Sequence, residues 1–228
     1  MAEKNIHPDS YFKKSLTKWI VKPLREYDFF RYKTAFVGRV TNDSIFQFIN
    51  LQKDAYGGKT FTVNVGVRPL FIPHDYLSLQ PGQRIGYFKY GADKWWSFKT
   101  EDRADHSFIE VNHIINDYVL EWFEQTSETN GLINLYTDST QERIIPTSLN
   151  WRFFDLGHLY ARQKQYGNAI DAMETAQKYF RLQPFAWCTE ASEKCGEFIG
   201  ILNKGESEVD DYLKNSERIS KINLGLDK

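Results

Sequence analysis

Two apolar-rich runs, Ile45 to Lys53 and Thr60 to Val67, flank a Gly57-Gly58 turn, and no other feature constrains this chain as tightly. In the second run Phe61, Val63, Val65 and Val67 alternate with Thr60, Thr62, Asn64 and Gly66, the period-two pattern of a strand with one buried face. In the first, Phe46 and Phe48 share a face with Asn50 and Gln52, while Ile45, Ile49 and Leu51 point the other way. Joined by the glycine turn, the runs set Asn50, Gln52, Thr62 and Asn64 side by side. If a helix covers that strip, its polar groups bond to one another or to backbone and fix the register. If the strip is open, it is a groove of donors and acceptors for a peptide or ligand.

The surrounding chain reads as an α+β domain. A first helix capped at Asp9 or Ser10 places Phe12, Leu16, Trp19, Ile20 and Leu24 on one side, and Pro23 is expected to end or kink it. Strands are expected at about 29–40, 44–53 and 60–71, with a turn at Thr41-Asn42-Asp43-Ser44, so an antiparallel meander follows. A second hairpin, Ile85 to Tyr90 and Trp95 to Phe98 around Gly91-Ala92-Asp93-Lys94, extends the same sheet. From Asp105 to Gln125 an amphipathic helix presents Phe108, Val111, Ile115, Tyr118, Val119 and Trp122. The expectation is an antiparallel sheet of about five strands covered by helices, followed by a C-terminal helical, repeat-like region.

That C-terminal third has a different character. Phe153, Leu156, Gly157 and Tyr160, then Ala169, Met173 and Ala176, resemble one tetratricopeptide repeat, with small residues where two helices touch. Pro184 falls about three residues later than the repeat would place it, and no full second copy follows. A helix from Pro184 to Leu202 would serve as its cap. Residues 132–149 give no clear pattern. The domain reading is 1–130 for the α+β part and 131–228 for a helical extension packed on it, because a single repeat cannot bury its own face.

Ile49-Asn50-Leu51-Gln52-Lys53 followed by Val63-Asn64-Val65-Gly66 resembles the signature of the bacterial family called domain of unknown function 4304. Lys22-Pro23-Leu24, the aromatic and basic run from Phe29 to Lys33, Arg84-Ile85-Gly86 and Asp93-Lys94-Trp95-Trp96 follow the family's order, so the resemblance spans about residues 9–130. It departs at Arg25-Glu26-Tyr27-Asp28, where members have a short Gly-Phe turn. The resemblance implies a fold and transfers no catalytic residues.

Charge and motifs narrow the chemistry. The net charge is -1, yet eight basic residues lie between Lys13 and Arg39, and Lys14, Lys18, Lys22 and Arg25 make one stripe along a helix. Such a stripe is a solvated face, or a contact for an acidic protein surface or a phosphate backbone. Cys188 and Cys195 lie seven apart in a helical segment, too far for a disulfide, and read as buried thiols. No apolar run approaches a membrane span and the first residues are polar, so a cytoplasmic protein with no membrane partner is expected. His106, Glu110 and His113 share a helical face, but that face is opposite the apolar stripe and no second motif completes a metal site. With no phosphate loop, nucleophile elbow or cysteine–histidine signature, no cofactor, metal or catalytic residue is assigned.

The candidate binding residues are Asn50, Gln52, Thr62, Asn64, Arg84, Trp95, Trp96, His158 and Arg162. One of Trp95 and Trp96 should enter the core and the other reach the surface near Arg84. His158 and Arg162, with Trp151 and Phe154, hold positions that line the concave face of tetratricopeptide repeats, or are buried against the first domain. The functional reading is a non-catalytic protein-interaction module, regulatory or toxin-neutralising, whose partner is another protein or peptide. The alternative is nucleic-acid binding through segment 13–39, with Tyr32 and Phe36 as stacking groups. A hydrolase using the polar strip is the second alternative, and the sequence is silent on oligomeric state.

Overall fold

Antiparallel pairing organises the first half of the chain. The computed structural model describes residues 7–74, 77–79, 81–138, 140 and 148–227. Strands β1 (Phe30–Lys33), β2 (Phe36–Val40), β3 (Ile45–Lys53), β4 (Thr60–Pro69) and β5 (Gly82–Arg84) lie in that order, and β6 (Trp96–Ser97) also pairs with β4. The register sets Val37 against Ile49, Gly38 against Phe48, Asn64 against Arg84, and Phe61 against Trp96. This is the expected α+β class with an antiparallel sheet.

β4 was expected to bury one face, but Thr62 and Asn64 are buried along with Phe61, Val63 and Val65. Two glycines explain the second buried face. A Cβ on Gly38 would stand 2.4 Å from the Phe46 ring, and one on Gly66 would stand 2.5 Å from the Phe48 ring. Their absence lets Phe46 and Phe48 lie flat on the sheet, stacked at 5.8 Å, with Tyr32 edge-on to Phe46 at 5.2 Å and Phe36 at 6.3 Å from Phe48. A separate cluster is formed by Phe12, Phe61, Phe98 and Phe108, with Phe12 5.3 Å from Phe61 and Phe61 4.7 Å from Phe108.

Phe12 belongs to α1 (Pro8–Leu16) and Phe108 to α4 (Glu101–Ile114). These helices are tied by Asp105, whose carboxylate accepts from Ser15 at 2.6 Å, Lys18 at 3.0 Å and Trp19 at 3.0 Å. Half of the basic stripe is thereby used internally, since Lys14 also pairs with Glu101.

Four local expectations are corrected. The first helix is capped by His7, one residue before Pro8, where a missing N–H does no harm. Pro23 does not end it: a π-helical turn, Thr17–Val21, leads into α2 (Lys22–Leu24), which holds Pro23 in its first turn. Gly86–Tyr90 is helix α3, not a strand, and left-handed Gly91 (φ 65°) is its C-terminal stop instead of a hairpin turn. A π-helical turn at Ile115–Val119, before α5 (Leu120–Gln125), adds a residue to the helical repeat and turns Tyr118 out of the apolar stripe to 39% exposure.

The chain divides into two compact units. The first runs to Val40 and includes Phe46–Val67 and Gly82–Glu124; the second comprises Thr41–Ile45, Arg68–Pro81 and the chain from Gln125. The second unit contains α6 (Thr129–Thr137), α7 (Leu149–Arg162), α8 (Tyr166–Arg181), α9 (Ala186–Leu202) and α10 (Glu206–Leu224). Of the stretch 132–149, residues 139 and 141–147 lie outside the described residues.

α7 and α8 meet where Gly157 faces Met173, whose side chain occupies the space of a Cβ. A helix pair was expected here with one cap helix, yet α9 and α10 form a second pair whose turn matches the first. The Gln163 N–H bonds to Leu159 O, Lys164 to Ala161 O and Ala169 to Gln165 O, and Asn203, Lys204 and Val209 repeat these bonds to Ile199, Ile201 and Gly205 at an offset of 40 positions. Buried Ala169, Met173, Ala176 and Phe180 correspond at that offset to buried Val209, Leu213, Ser216 and Ser220. Among the described residues, no helix is long and apolar enough to cross a membrane.

The glycine seats give a prediction for folding. Gly66→Ala should destabilise the protein by about 1–3 kcal/mol through overpacking against Phe48, and Phe48→Leu in the same chain should recover part of that loss. Urea denaturation of the single and double variants measures both, and additive losses would contradict this packing.

Candidate binding cavity

The second unit places an acid where the helical pattern asks for an apolar residue. Trp151, Phe154, Asp155 and His158 fall on one side of α7, and Asp155 is buried there with Phe154 and His158. Two donors satisfy its carboxylate. The Tyr136 hydroxyl of α6 donates to Oδ2 at 2.6 Å, and His74 Nε2 lies 2.7 Å from Oδ1. Arg68 holds the segment that carries His74, its Nη2 donating to Ile72 O at 3.3 Å and His74 O at 2.9 Å. Arg152 Nε donates to Tyr136 O at 2.7 Å and steadies the other side.

The electrostatics follow from burial and pairing. Burial alone would raise the Asp155 carboxyl, but the charge and hydrogen bond of His74, the Tyr136 hydroxyl and the charge of Arg68 outweigh it and keep Asp155 below the usual carboxylate value. Burial and the neighbouring Asp155 charge push the Tyr136 phenol well up, so it stays a donor. Nε2 is the ring nitrogen that donates to the carboxylate.

His74 also lines a cavity of about 320 Å³. Buried Phe154 and Ala191 form its floor, half-buried Pro73, His74 and Trp151 its walls, and exposed Trp187, Glu190 and Lys194 its mouth. Trp187 stacks parallel to Trp151 at 6.1 Å and to Phe185 at 6.1 Å, and His74 sits 5.3 Å from Trp151. Apolar and aromatic walls with a few placed polar groups are the usual make-up of a ligand recess, and the volume is at the small end of that class.

The residues singled out from the sequence are distributed over both units. In the first, Thr62 and Asn64 are buried, Asn50 is half-buried and Gln52 exposed, with Asn64 Nδ2 donating to Gln52 at 3.2 Å. Thr62 at 3.3 Å, Trp95 Nε1 at 3.1 Å and Arg84 all converge on the Asp93 carboxylate. Trp95 is 41% exposed beneath the Arg84 guanidinium, whereas Trp96 is buried against Phe61. Glu110 is engaged by Lys94 and Tyr90, and His106 Nδ1 meets Asp102 O, so the first two residues of the H-x3-E-x2-H face are held in local bonds. Arg39 is bonded to Gln47 and to Glu124.

In the second unit, Arg162 pairs with Asp43 at 3.5 Å and covers Phe71. His158 is fully buried, bonded through Nδ1 to Phe154 O and stacked on Phe198 at 4.3 Å. It therefore fills the interior of the helix pairs and lines no surface.

Sequence reasoning passed over His74, Asp155, Tyr136 and Trp187. His74 lies in an aperiodic segment next to Pro73 and gives no pattern to read. Asp155 did leave a signal, since an acid on an apolar helical stripe must find a partner.

Compared with protein families, the chain matches the model described as Domain of unknown function (DUF4304) over residues 20–125, which supports a domain of that kind in this part of the chain. Comparisons with curated proteins and with solved structures return no significant match.

Two predictions follow from the buried groups. Burial holds the His158 imidazole down to about 4 from an ordinary 6.5. Between those values the unfolded chain binds a proton that the folded chain does not. Stability should therefore fall by roughly 3 kcal/mol as pH drops from 6.5 to 4. In His158→Phe that segment of the urea-stability profile should be flatter. Removing the Asp155 carboxylate strands its donors, so Asp155→Ala should lose about 3–5 kcal/mol and Asp155→Asn, which keeps an acceptor for Tyr136, less; thermal and urea unfolding report the difference.

Proposed function

We propose that this protein is a protein-interaction module and that its second unit seats a segment of a partner polypeptide in the cavity beside His74. The observation that carries this reading is the aromatic array at the mouth, where Phe185, Trp187 and Trp151 stack in sequence and Trp187 remains 47% exposed. An exposed tryptophan beside an aromatic-walled recess is the composition of a contact hot spot. The two helix pairs, similar in turn and spacing, support kinship with repeat modules of the tetratricopeptide kind, which present helical surfaces to peptides. A regulatory or toxin-neutralising role is one use of such a module.

The nucleic-acid reading has less support. Lys14, Lys18 and Arg39, three cations of segment 13–39, are paired with Glu101, Asp105 and Glu124, and Tyr32 and Phe36 pack against Phe46 and Phe48.

Selection of a displayed random-peptide library on the full chain tests the proposal. Selected peptides should bind the wild-type protein saturably and the folded Trp187→Ala variant at least tenfold more weakly. Equal binding to both, or no enrichment over an unrelated protein, would count against a seat at this cavity.

A further inference from the structure

The turn between α8 and α9 departs from the way this chain keeps its surface polar. Charged residues make up 26% of the sequence, so eight positions would carry about two, yet Leu182 to Thr189 carry none. All of them except Cys188 are exposed, Leu182 at 68%, Phe185 at 53% and Trp187 at 47%. Single apolar residues at a surface are ordinary, whereas three large ones in one turn beside an aromatic-walled recess mark a contact. Phe185 stacks on Trp187 and Trp187 on Trp151, so the uncharged turn and the cavity form one continuous patch.

Charge surrounds this patch with opposite sign on its two sides. Lys178 and Arg181 are exposed on the last turn of α8, and Glu190 and Glu193 are exposed on the first turns of α9, with Lys194 next to them. The two helices pack side by side, Gln177 Nε2 donating to Ser192 O at 3.0 Å and Arg181 Nε to Ser192 Oγ at 3.2 Å. A two-fold axis passing between them at the turn lays the α8 end of one copy over the α9 end of another, so that each basic rim meets an acidic one. Such a patch is complementary to itself, as a two-fold interface requires. A wholly acidic or wholly basic partner would find one rim attractive and the other repulsive.

We infer that the segment seated in the cavity belongs to a second copy of this chain, the α8–α9 turn of each protomer delivering Leu182 to the recess of the other. This rests on the peptide-binding reading above and names its partner. Leu182 suits the role because it is uncharged, the most exposed apolar side chain of the turn, and small against a cavity of about 320 Å³. An uncharged centre inside a charged rim is also the ordinary anatomy of a protein interface. The patch is small, so the dimer should be weak and concentration-dependent, with a Kd of about 10–100 μM.

Sedimentation of the full chain over a concentration series tests this. The wild type should pass from monomer to dimer as concentration rises. Leu182→Asp changes an exposed site, so it should keep the wild-type circular dichroism and raise the dimer Kd at least tenfold. Arg181→Glu and Glu190→Arg should each weaken the dimer, and the chain carrying both should regain most of the loss, a recovery that local damage does not produce. A chain that stays monomeric up to about 0.5 mM, an unchanged Kd in Leu182→Asp, or no recovery in the double variant would each overturn the inference. The two readings separate cleanly: a monomer that binds Trp187-dependent library peptides sinks the second copy and leaves the module. A Leu182-dependent dimer from which no peptide is selected supports the second copy and sinks the seat for foreign segments.

Discussion

A single carboxylate inside an apolar helix face determines how the second unit is assembled. Asp155 left unpaired among Trp151, Phe154 and His158 would oppose folding by several kcal/mol, so the chain must bring donors to it. Tyr136 comes from α6 and His74 from the irregular segment after β4, and neither is near Asp155 in sequence. Arg68 then fastens the His74 segment by its own carbonyls. The same bonds that remove the cost of a buried charge also fix one imidazole, in one orientation, at the edge of a recess.

The first unit solves its own problem by subtraction. Phe46 and Phe48 occupy the side of β3 that the alternation gave to polar residues, and they fit because Gly38 and Gly66 offer no Cβ in their way. The polar residues of this part of the sheet bond to one another: Asn64 to Gln52, and Thr62, Arg84 and Trp95 to Asp93. Asp93 thus ties β4 to the segment leading into β6 and holds β5 beside it, which accounts for much of the polar signature that marks this part of the chain.

What could be read from the sequence was what period and turn chemistry encode. The hairpin around Gly57-Gly58, the outward Trp95 with inward Trp96, and the small residues at the α7–α8 contact all follow from local rules. The errors arose where one residue shifts the frame or carries two meanings. Two π-helical turns each add a residue to a helix, which carried the first past Pro23 and rotated Tyr118 outward. Gly91 suits a hairpin and a helix stop equally. The second helix pair escaped notice because Ser216 and Ser220 stand where the first pair has Ala176 and Phe180, so its buried face is disguised by polar names. The cavity was invisible because His74 and Asp155, 81 positions apart, share no local pattern.

The recognition proposed for the cavity draws its support from the make-up of the lining. An orienting carboxylate behind a histidine also occurs where imidazole is a general base, and such a base needs a nucleophile or a second acid–base group within reach of the reacting atom. Among the described residues the lining contains no hydroxyl or thiol side chain, and its two further ionisable groups, Glu190 and Lys194, stand at the mouth in contact with solvent. Charges so exposed are screened and exert little of the preorganised field that catalysis draws on. The recognition proposed here, by contrast, needs only an imidazole held in one orientation beside aromatic rings, and no further group to act.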